Sequence, residues 1–122
     1  MIITRKIKKH LVLLTLLIIL SLMAFFSVAG VYASQSRVID NAGLLTSDQR
    51  SALETQVNKA ISVMNMDLVV LTIDDAEGKT SAAYADDYYD YNGYGTGSNK
   101  SGALILIDMD NRQIYISTTG EM

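Results

Sequence analysis

The sequence predicts a layered α/β fold with a mixed central sheet, a terminal hairpin and a separate N-terminal helix. Three observations support this prediction. Two uninterrupted apolar runs have the length of buried strands, segments with helical signals precede each of them, and an alternating segment follows the second. The predicted order is β-α-β-α-β-β, and helices that alternate with strands are typical of layered proteins whose sheet is partly parallel.

The first 33 residues differ in composition from the rest of the chain. Residues 1–10 carry four cations and no acid, residues 11–29 are uncharged and rich in Leu and Ile, and small residues occupy 31 and 33. This pattern predicts that residues 1–33 are a secretory signal peptide cut before Ser34. The 19-residue apolar run is also about long enough to span a bilayer, so an uncleaved membrane anchor is the alternative, and a buried core helix a third. Either membrane-targeting reading keeps the N-terminus in the cytoplasm and places residues 34–122 outside.

The remaining 89 residues are strongly acidic and chemically restricted. They carry six basic and thirteen acidic side chains, a formal net charge of −7, and they lack His, Cys, Trp, Phe and Pro. Without His or Cys, catalytic relays built on these residues, zinc sites of the usual N/S type and disulfides are excluded. The negative charge argues against nucleic acid as a partner. Oxygen ligands remain, and these suit Ca²⁺ or Mg²⁺.

The first half of this body predicts a short apolar segment followed by a turn and a helix. Residues 38–39 are apolar within a polar arm, and residues 40–43 have the composition of a turn. Thr46 and Gln49 have the spacing of a capping box. Apolar residues recur at helical spacing beyond this cap, which predicts a helix over about 47–64.

A buried strand and a second helix follow. Residues 68–73 form a continuous β-branched and apolar run, typical of a strand buried on both faces. Residues 74–79 predict a loop. Thr80 or Ser81 is the expected cap of a helix that runs to about Tyr91.

The last third predicts a flexible loop and a hairpin. Residues 92–102 are rich in Gly, Ser and Asn, and residues 103–107 predict a second buried strand. A short turn over 108–112 leads to the alternating segment 113–118, which predicts a half-buried hairpin partner.

Acidic side chains concentrate in three places that could bind a metal ion. Asp40 lies in the first turn, and Asp74 and Asp75 follow the middle strand, where ligands of α/β sheets bind. Asp86 and Asp90 share one face of the second helix. The plainer alternatives are a solvated acidic face and an ordinary β-to-α turn. Two further residues complete the candidate set: Lys79, which with the amides opening the second helix could hold a phosphate, and Asp87, beside the helical pair.

Five of the seven tyrosines fall within eleven residues. Tyr84, Tyr88 and Tyr91 share a narrow helical stripe, which predicts that they face the core. Tyr89 and Tyr94 are predicted to be freer and to line a pocket.

Five motifs occur in a fixed order along the body of the chain: VIDNAGLLT at 38–46, DLVVLT at 67–72, YADDYY at 84–89, KSGALILI at 100–107, and Arg112 with IYISTTG at 114–120. This ordered set resembles the TPM domain, a family that includes thylakoid-lumen phosphatase-like proteins and many exported or membrane-anchored bacterial proteins. The resemblance covers about residues 37–120. It implies an α/β/α sandwich on the outer side of a membrane, acid phosphatase activity and Ca²⁺ binding, although many members are thought to act as accessory or assembly proteins. Family domains continue past Gly120, so residues 34–122 are expected to be a partial TPM-like domain.

The leading functional hypothesis is an exported TPM-like domain that binds a divalent cation and acts in envelope or membrane-protein maintenance. In its enzymatic form it is a metal-dependent acid phosphatase. The alternatives are a non-catalytic module that binds a membrane-protein partner and an inactive fragment. The candidate catalytic residues are Asp74, Asp75 and Lys79, and the candidate ligands for Ca²⁺ or Mg²⁺ are Asp40, Asp86, Asp87 and Asp90, with Asp74 and Asp75 as further candidates for holding the metal.

Overall fold

A computed structural model describes residues 2–25 and 34–120 of the chain. The chain divides into two compact units, Met1–Ser34 and Gln35–Met122. The predicted cleavage site at 31–33 lies outside the described residues.

The first unit contains a single described helix, α1, which spans Ile2–Phe25. Its large apolar side chains from Ile7 to Leu22 are exposed. Within residues 2–25 and 34–120, no helix combines the length and the hydropathy that crossing a membrane requires. The prediction of a transmembrane helix is therefore not confirmed in this part of the chain.

The second unit is a mixed α/β structure, as the sequence predicts. It holds four strands and two helices, which with α1 make three helices in the described residues. Helix boundaries agree with the predicted ones, and the strands run one residue beyond them at one or both ends. The elements are β1 (Val38–Asp40), α2 (Ser47–Met64), β2 (Asp67–Ile73), α3 (Ser81–Tyr91), β3 (Gly102–Asp108) and β4 (Gln113–Thr119).

The start of α2 is set by the capping box that the sequence predicts. The Thr46 hydroxyl accepts a hydrogen bond from the Gln49 amide, and the Gln49 side chain accepts one from the Thr46 amide. The helix ends where Asn65 adopts a left-handed conformation, with φ of 54°. Local sequence chemistry therefore determines both ends of this helix.

The sheet has the strand order β1-β2-β3-β4. The first three strands are parallel, and β4 pairs with β3 as an antiparallel hairpin. Val38 is opposite Val70, Leu71 is opposite Leu106, and Ile105 is opposite Ile116. Because paired residues share a face, this register assigns every strand residue to one of two sheet faces.

The two helices of this unit cover different parts of the two faces. Helix α2 packs Val57 against Val38 and Val70 on one face, over β1 and β2. Helix α3 packs Ala85 and Tyr89 on the other face, mainly over β3 and β4. From β1 to β2 and from β2 to β3 the chain moves across the sheet in the same direction, but α2 and α3 connect these strands on opposite faces. One crossover is therefore right-handed and the other left-handed, which is an uncommon arrangement.

The β3–β4 part of the α2 face carries a row of isoleucines that we call the isoleucine face. Ile114 is 73% exposed and Ile116 is 58% exposed, and their β3 neighbours are half-buried. The strand register shows that this part of the face lies beyond β1 and β2, the strands that α2 covers. The isoleucine face consists of Ile105, Ile107, Ile114 and Ile116.

Candidate functional site

The carboxyl ends of β1, β2 and β3 lie side by side along one edge of the sheet, as the parallel register requires. The main chain ties two of the loops that leave this edge. The Met109 amide donates a hydrogen bond of 2.9 Å to the carbonyl of Ile73, and the Ala76 amide donates one of 3.2 Å to the Asp110 carboxylate. The loop after β2 and the turn after β3 therefore form one continuous surface.

Asp108 is the buried acid at the centre of this edge. Its carboxylate accepts hydrogen bonds from the Ser81 hydroxyl at 2.6 Å, the Asn111 side chain at 2.7 Å and the Asn111 amide at 3.0 Å. Burial raises the pKa of Asp108, but these bonds outweigh burial and hold the pKa below its ordinary value. Asp108 is not among the site residues that the sequence predicts, although an acid that directly ends a buried apolar strand is the available signal.

Asp40 has a structural role that the sequence did not reveal. One carboxylate oxygen accepts hydrogen bonds from the Thr72 hydroxyl at 2.5 Å and the Leu44 amide at 2.9 Å, and the other accepts one from the Leu45 amide at 2.8 Å. The Thr72 hydroxyl and the Leu45 amide are the main causes that lower the pKa of Asp40. The carboxylate thus fastens the turn before α2 to the end of β2.

The predicted catalytic residues lie on the exposed loop after β2. Asp74 is exposed, and Asp75 accepts a hydrogen bond of 2.7 Å from the Glu77 amide. Lys79 forms an ion pair of 2.7 Å with Asp87 on α3, and that bond is the largest cause that raises the pKa of Lys79. The structure therefore brings Lys79 to one of the predicted metal ligands.

Asp86 and Asp90 occupy a different place, on the side of α3 that faces β4. Asp86 accepts a hydrogen bond of 2.5 Å from the Ser117 hydroxyl. Both acids line a cavity of about 260 Å³ together with residues 117–119. This cavity lies at the outer edge of the sheet, beside the last strand.

The four predicted metal ligands are thus divided among three environments. Asp40 accepts hydrogen bonds from the turn before α2, and Asp87 forms an ion pair with Lys79. Asp86 and Asp90 lie together beside β4. In the described part of the chain, no group of three or more acidic side chains is placed to share one metal ion. The arrangement does not fit a single Ca²⁺ or Mg²⁺ centre built from all four.

Three of these five tyrosines lie differently from the prediction. Tyr89 and Tyr94, predicted to be freer, are buried at 2% and 3% exposure, whereas Tyr91, predicted to face the core, is 83% exposed. Tyr84 and Tyr88 are half-buried and pack against the core, as predicted, and their rings stack with centroids 6.3 Å apart. Helical spacing alone misjudges the core-facing stripe because α3 is buried along the row that contains Ala85 and Tyr89.

A second polar network, which the sequence does not predict, lies at the opposite end of the strands, where β1 and β2 begin. Asp67 is 5% exposed and forms an ion pair of 2.6 Å with Arg37. It also accepts a hydrogen bond of 2.8 Å from the Gly95 amide, and the Arg37 guanidinium lies 5.1 Å from the centroid of the Tyr94 ring. The network ties the glycine-rich loop predicted to be flexible to the starts of β1 and β2.

Comparisons with known proteins place this geometry in a family context. The model of the TPM domain matches residues 38–122. The UPF0603 protein YdjH of Bacillus subtilis (strain 168) is 33% identical over 98 residues, which are 79% of this chain and 37% of that protein. The chain therefore spans little more than a third of the length of this curated relative.

A solved structure also matches the fold. The N-terminal domain of a protein from P. gingivalis, determined by solution NMR, superimposes with a TM-score of 0.61 at 22% identity. The match covers 71% of this chain and 55% of that domain. At this level of identity, the likeness concerns the fold alone.

Proposed function

The chain belongs to the TPM domain family, and we propose that it is an exported, non-catalytic module that binds a partner protein through its isoleucine face. The exported location is proposed from the basic and apolar character of residues 1–33. The partner is proposed to be another protein of the membrane or envelope.

The single observation that carries the binding proposal is the exposure of the isoleucine face. Ile114 and Ile116 are 73% and 58% exposed and stand beside two half-buried isoleucines on the neighbouring strand. Scattered exposed apolar residues are common, but contiguous apolar patches mark sites where proteins associate. The predicted cation ligands, in contrast, do not converge, so the geometry favours binding over metal-assisted catalysis.

Phosphate ester hydrolysis, with a divalent cation at the carboxyl ends of the strands, is the second candidate function. One observation favours it: Asp74 and Asp75 follow β2 and Asp110 follows β3, on loops joined by the hydrogen bond between Ala76 and Asp110. Lys79 stands at the start of α3, where helix amides favour an anion. Its pairing with Asp87 would have to open before it could bind phosphate.

Binding of an apolar peptide to the full chain in a mild detergent tests the binding proposal. Two fluorescent peptides are used, one an amphipathic helix former and one an extended sequence of alternating apolar and polar residues. We expect at least one to bind, and we expect Ile114→Lys to abolish that binding. The matched control is Val63→Lys, because Val63 is an equally exposed apolar residue, at 76%, on α2. If neither peptide binds, or if both variants lose binding equally, the binding proposal is wrong.

Turnover of p-nitrophenyl phosphate between pH 4 and 8, with and without millimolar Ca²⁺ or Mg²⁺, tests the second candidate. Metal-dependent turnover by the full chain that is lost in Lys79→Met would establish the enzyme in place of the non-catalytic module. An absence of turnover above that of the variant would exclude it.

A further inference from the structure

We propose that the partner binds as an added strand along β4, and that this strand alternates apolar residues with Lys or Arg. This inference rests on the proposed binding function and specifies the chemistry of its partner. It combines three features of the same sheet edge, namely an open backbone, an apolar face and an acidic cavity.

The first feature is the edge itself. Strand β4 is the last of the sheet and spans seven residues, Gln113–Thr119, none of which is charged or proline. Proteins that remain monomeric usually protect such an edge with a charge, a proline or a bulge. A long unprotected edge can accept a further strand through main-chain hydrogen bonds.

The other edge of the sheet is closed by comparison. Strand β1 spans only three residues. The Glu54 carboxylate from α2 accepts hydrogen bonds from the amides of Arg37 at 2.7 Å and Val38 at 2.8 Å. These contacts satisfy donors at the start of β1, so among the described residues β4 is the outer strand that offers the longer run of backbone for extension.

The second and third features are the two sides of β4. On one side Ile114 and Ile116 are exposed, so alternate residues of an added strand would meet an apolar surface. On the other side Asp86 and Asp90 line the cavity of about 260 Å³ beside residues 117–119. The intervening residues of an added strand would point towards these two acids, and basic side chains complement them.

Charge also favours a basic partner strand over a second copy of the chain as the molecule that binds β4. The body has a formal net charge of −7, so a second copy would bring a further excess of negative charge to an edge that Asp86 and Asp90 already make acidic. Like charges that face each other disfavour association, whereas a basic strand is attracted. A basic partner strand therefore fits the edge better than self-pairing does.

Three extended peptides of equal length test the inference on the full chain in detergent. Each carries Ile or Val at alternate positions, with Lys, Ser or Glu at the intervening ones. We expect affinity in the order Lys, Ser, Glu, with about tenfold between the first two, and a loss of that preference when salt is raised. N-methylation of alternate backbone amides, which blocks strand pairing without changing side chains, is expected to abolish binding.

Paired charge variants locate the acidic recognition. In the double variant Asp86→Asn with Asp90→Asn, the Lys peptide is expected to bind no better than the Ser peptide. The control is Asp74→Asn with Asp75→Asn, which removes the same charge from the loop after β2 and is expected to keep the preference.

The alternatives give distinct results. Equal binding of the Lys and Ser peptides, or tighter binding of a helical peptide, would overturn this inference while the proposed binding function stands. Sedimentation that shows a peptide-free dimer disrupted by Ile114→Lys would also overturn it, in favour of a second copy. If no peptide binds, the proposed function fails as well.

Discussion

The hydroxyl of Ser81, the first residue of α3, donates a hydrogen bond of 2.6 Å to the carboxylate of Asp108, the last residue of β3. Both residues are 1% exposed. The bond joins two elements that lie 27 positions apart in sequence, and it fixes the start of α3 against the sheet.

Ser81→Ala is expected to lower the free energy of unfolding by about 1–3 kcal/mol, because a buried carboxylate loses one of its donors. Urea denaturation of the full chain measures this change. Ser62→Ala is the control, since the Ser62 hydroxyl is exposed and bonds only within α2, to the Lys59 carbonyl. Equal stability of the two variants would contradict the proposed role of the Ser81–Asp108 bond.

Asp40→Asn is expected to flatten the dependence of stability on pH in the acid range. The hydrogen bonds to Asp40 lower its pKa below the ordinary 3.8, so its contribution is present above that pH and is lost as the pH falls through the lowered value. The variant should be less stable than the wild type at pH 6, and the two should converge at low pH.

Urea titrations at pH 6, 5, 4 and 3 test the Asp40 prediction. Asp74→Asn removes the same charge from an exposed position and is the charge-matched comparison. A parallel curve for Asp40→Asn would show that the carboxylate does not stabilise the turn.

Arg37→Ala is expected to destabilise the fold by about 2 kcal/mol, because it leaves the buried Asp67 without its cation. The side chain of Arg37 is itself 23% exposed, so the loss stays below that of a fully buried pair. The Gly95 amide donates a hydrogen bond to Asp67, and its hydrogen should exchange faster in the variant. Arg50→Ala, at an exposed position on α2, should change stability by less than about 0.5 kcal/mol, and an equal effect of both variants would refute the prediction.

Two tyrosines are expected to ionise at unusually high pH. Burial raises the pKa of Tyr89 and of Tyr94 to about 12. Both side chains therefore stay neutral in the folded state at a pH where an unfolded tyrosine, with a pKa of about 10, ionises. The free energy of unfolding should decrease as the pH rises from that value towards 12.

Absorbance at 295 nm across an alkaline titration tests the tyrosine prediction. Tyr89→Phe and Tyr94→Phe should each remove one group from the late transition, and the urea-unfolded chain serves as the reference. A folded chain whose tyrosines all ionise together with those of the unfolded chain would be inconsistent with the burial of these two rings.

Local patterns predicted the elements well because local chemistry determines them. The capping pair Thr46 and Gln49 defines the start of α2, and uninterrupted apolar runs define β2 and β3. The site was less predictable, because nothing in the local sequence distinguishes a carboxylate that holds the fold together, such as Asp40 or Asp108, from one that binds a metal ion. Their hydrogen-bond partners Thr72 and Ser81 lie 32 and 27 positions away, beyond the reach of local patterns.

By itself, the sequence determined the α/β class, the restriction of the body to oxygen chemistry and the membership of the TPM family, since these follow from residue types and their order. Only the tertiary structure decided which acids are structural, which tyrosines are buried and which sheet face carries exposed isoleucines. The physical reason is that burial and hydrogen-bond partners depend on which helix covers which strands. A strand pattern such as that of β4 is the same whether its outer face meets a helix or water.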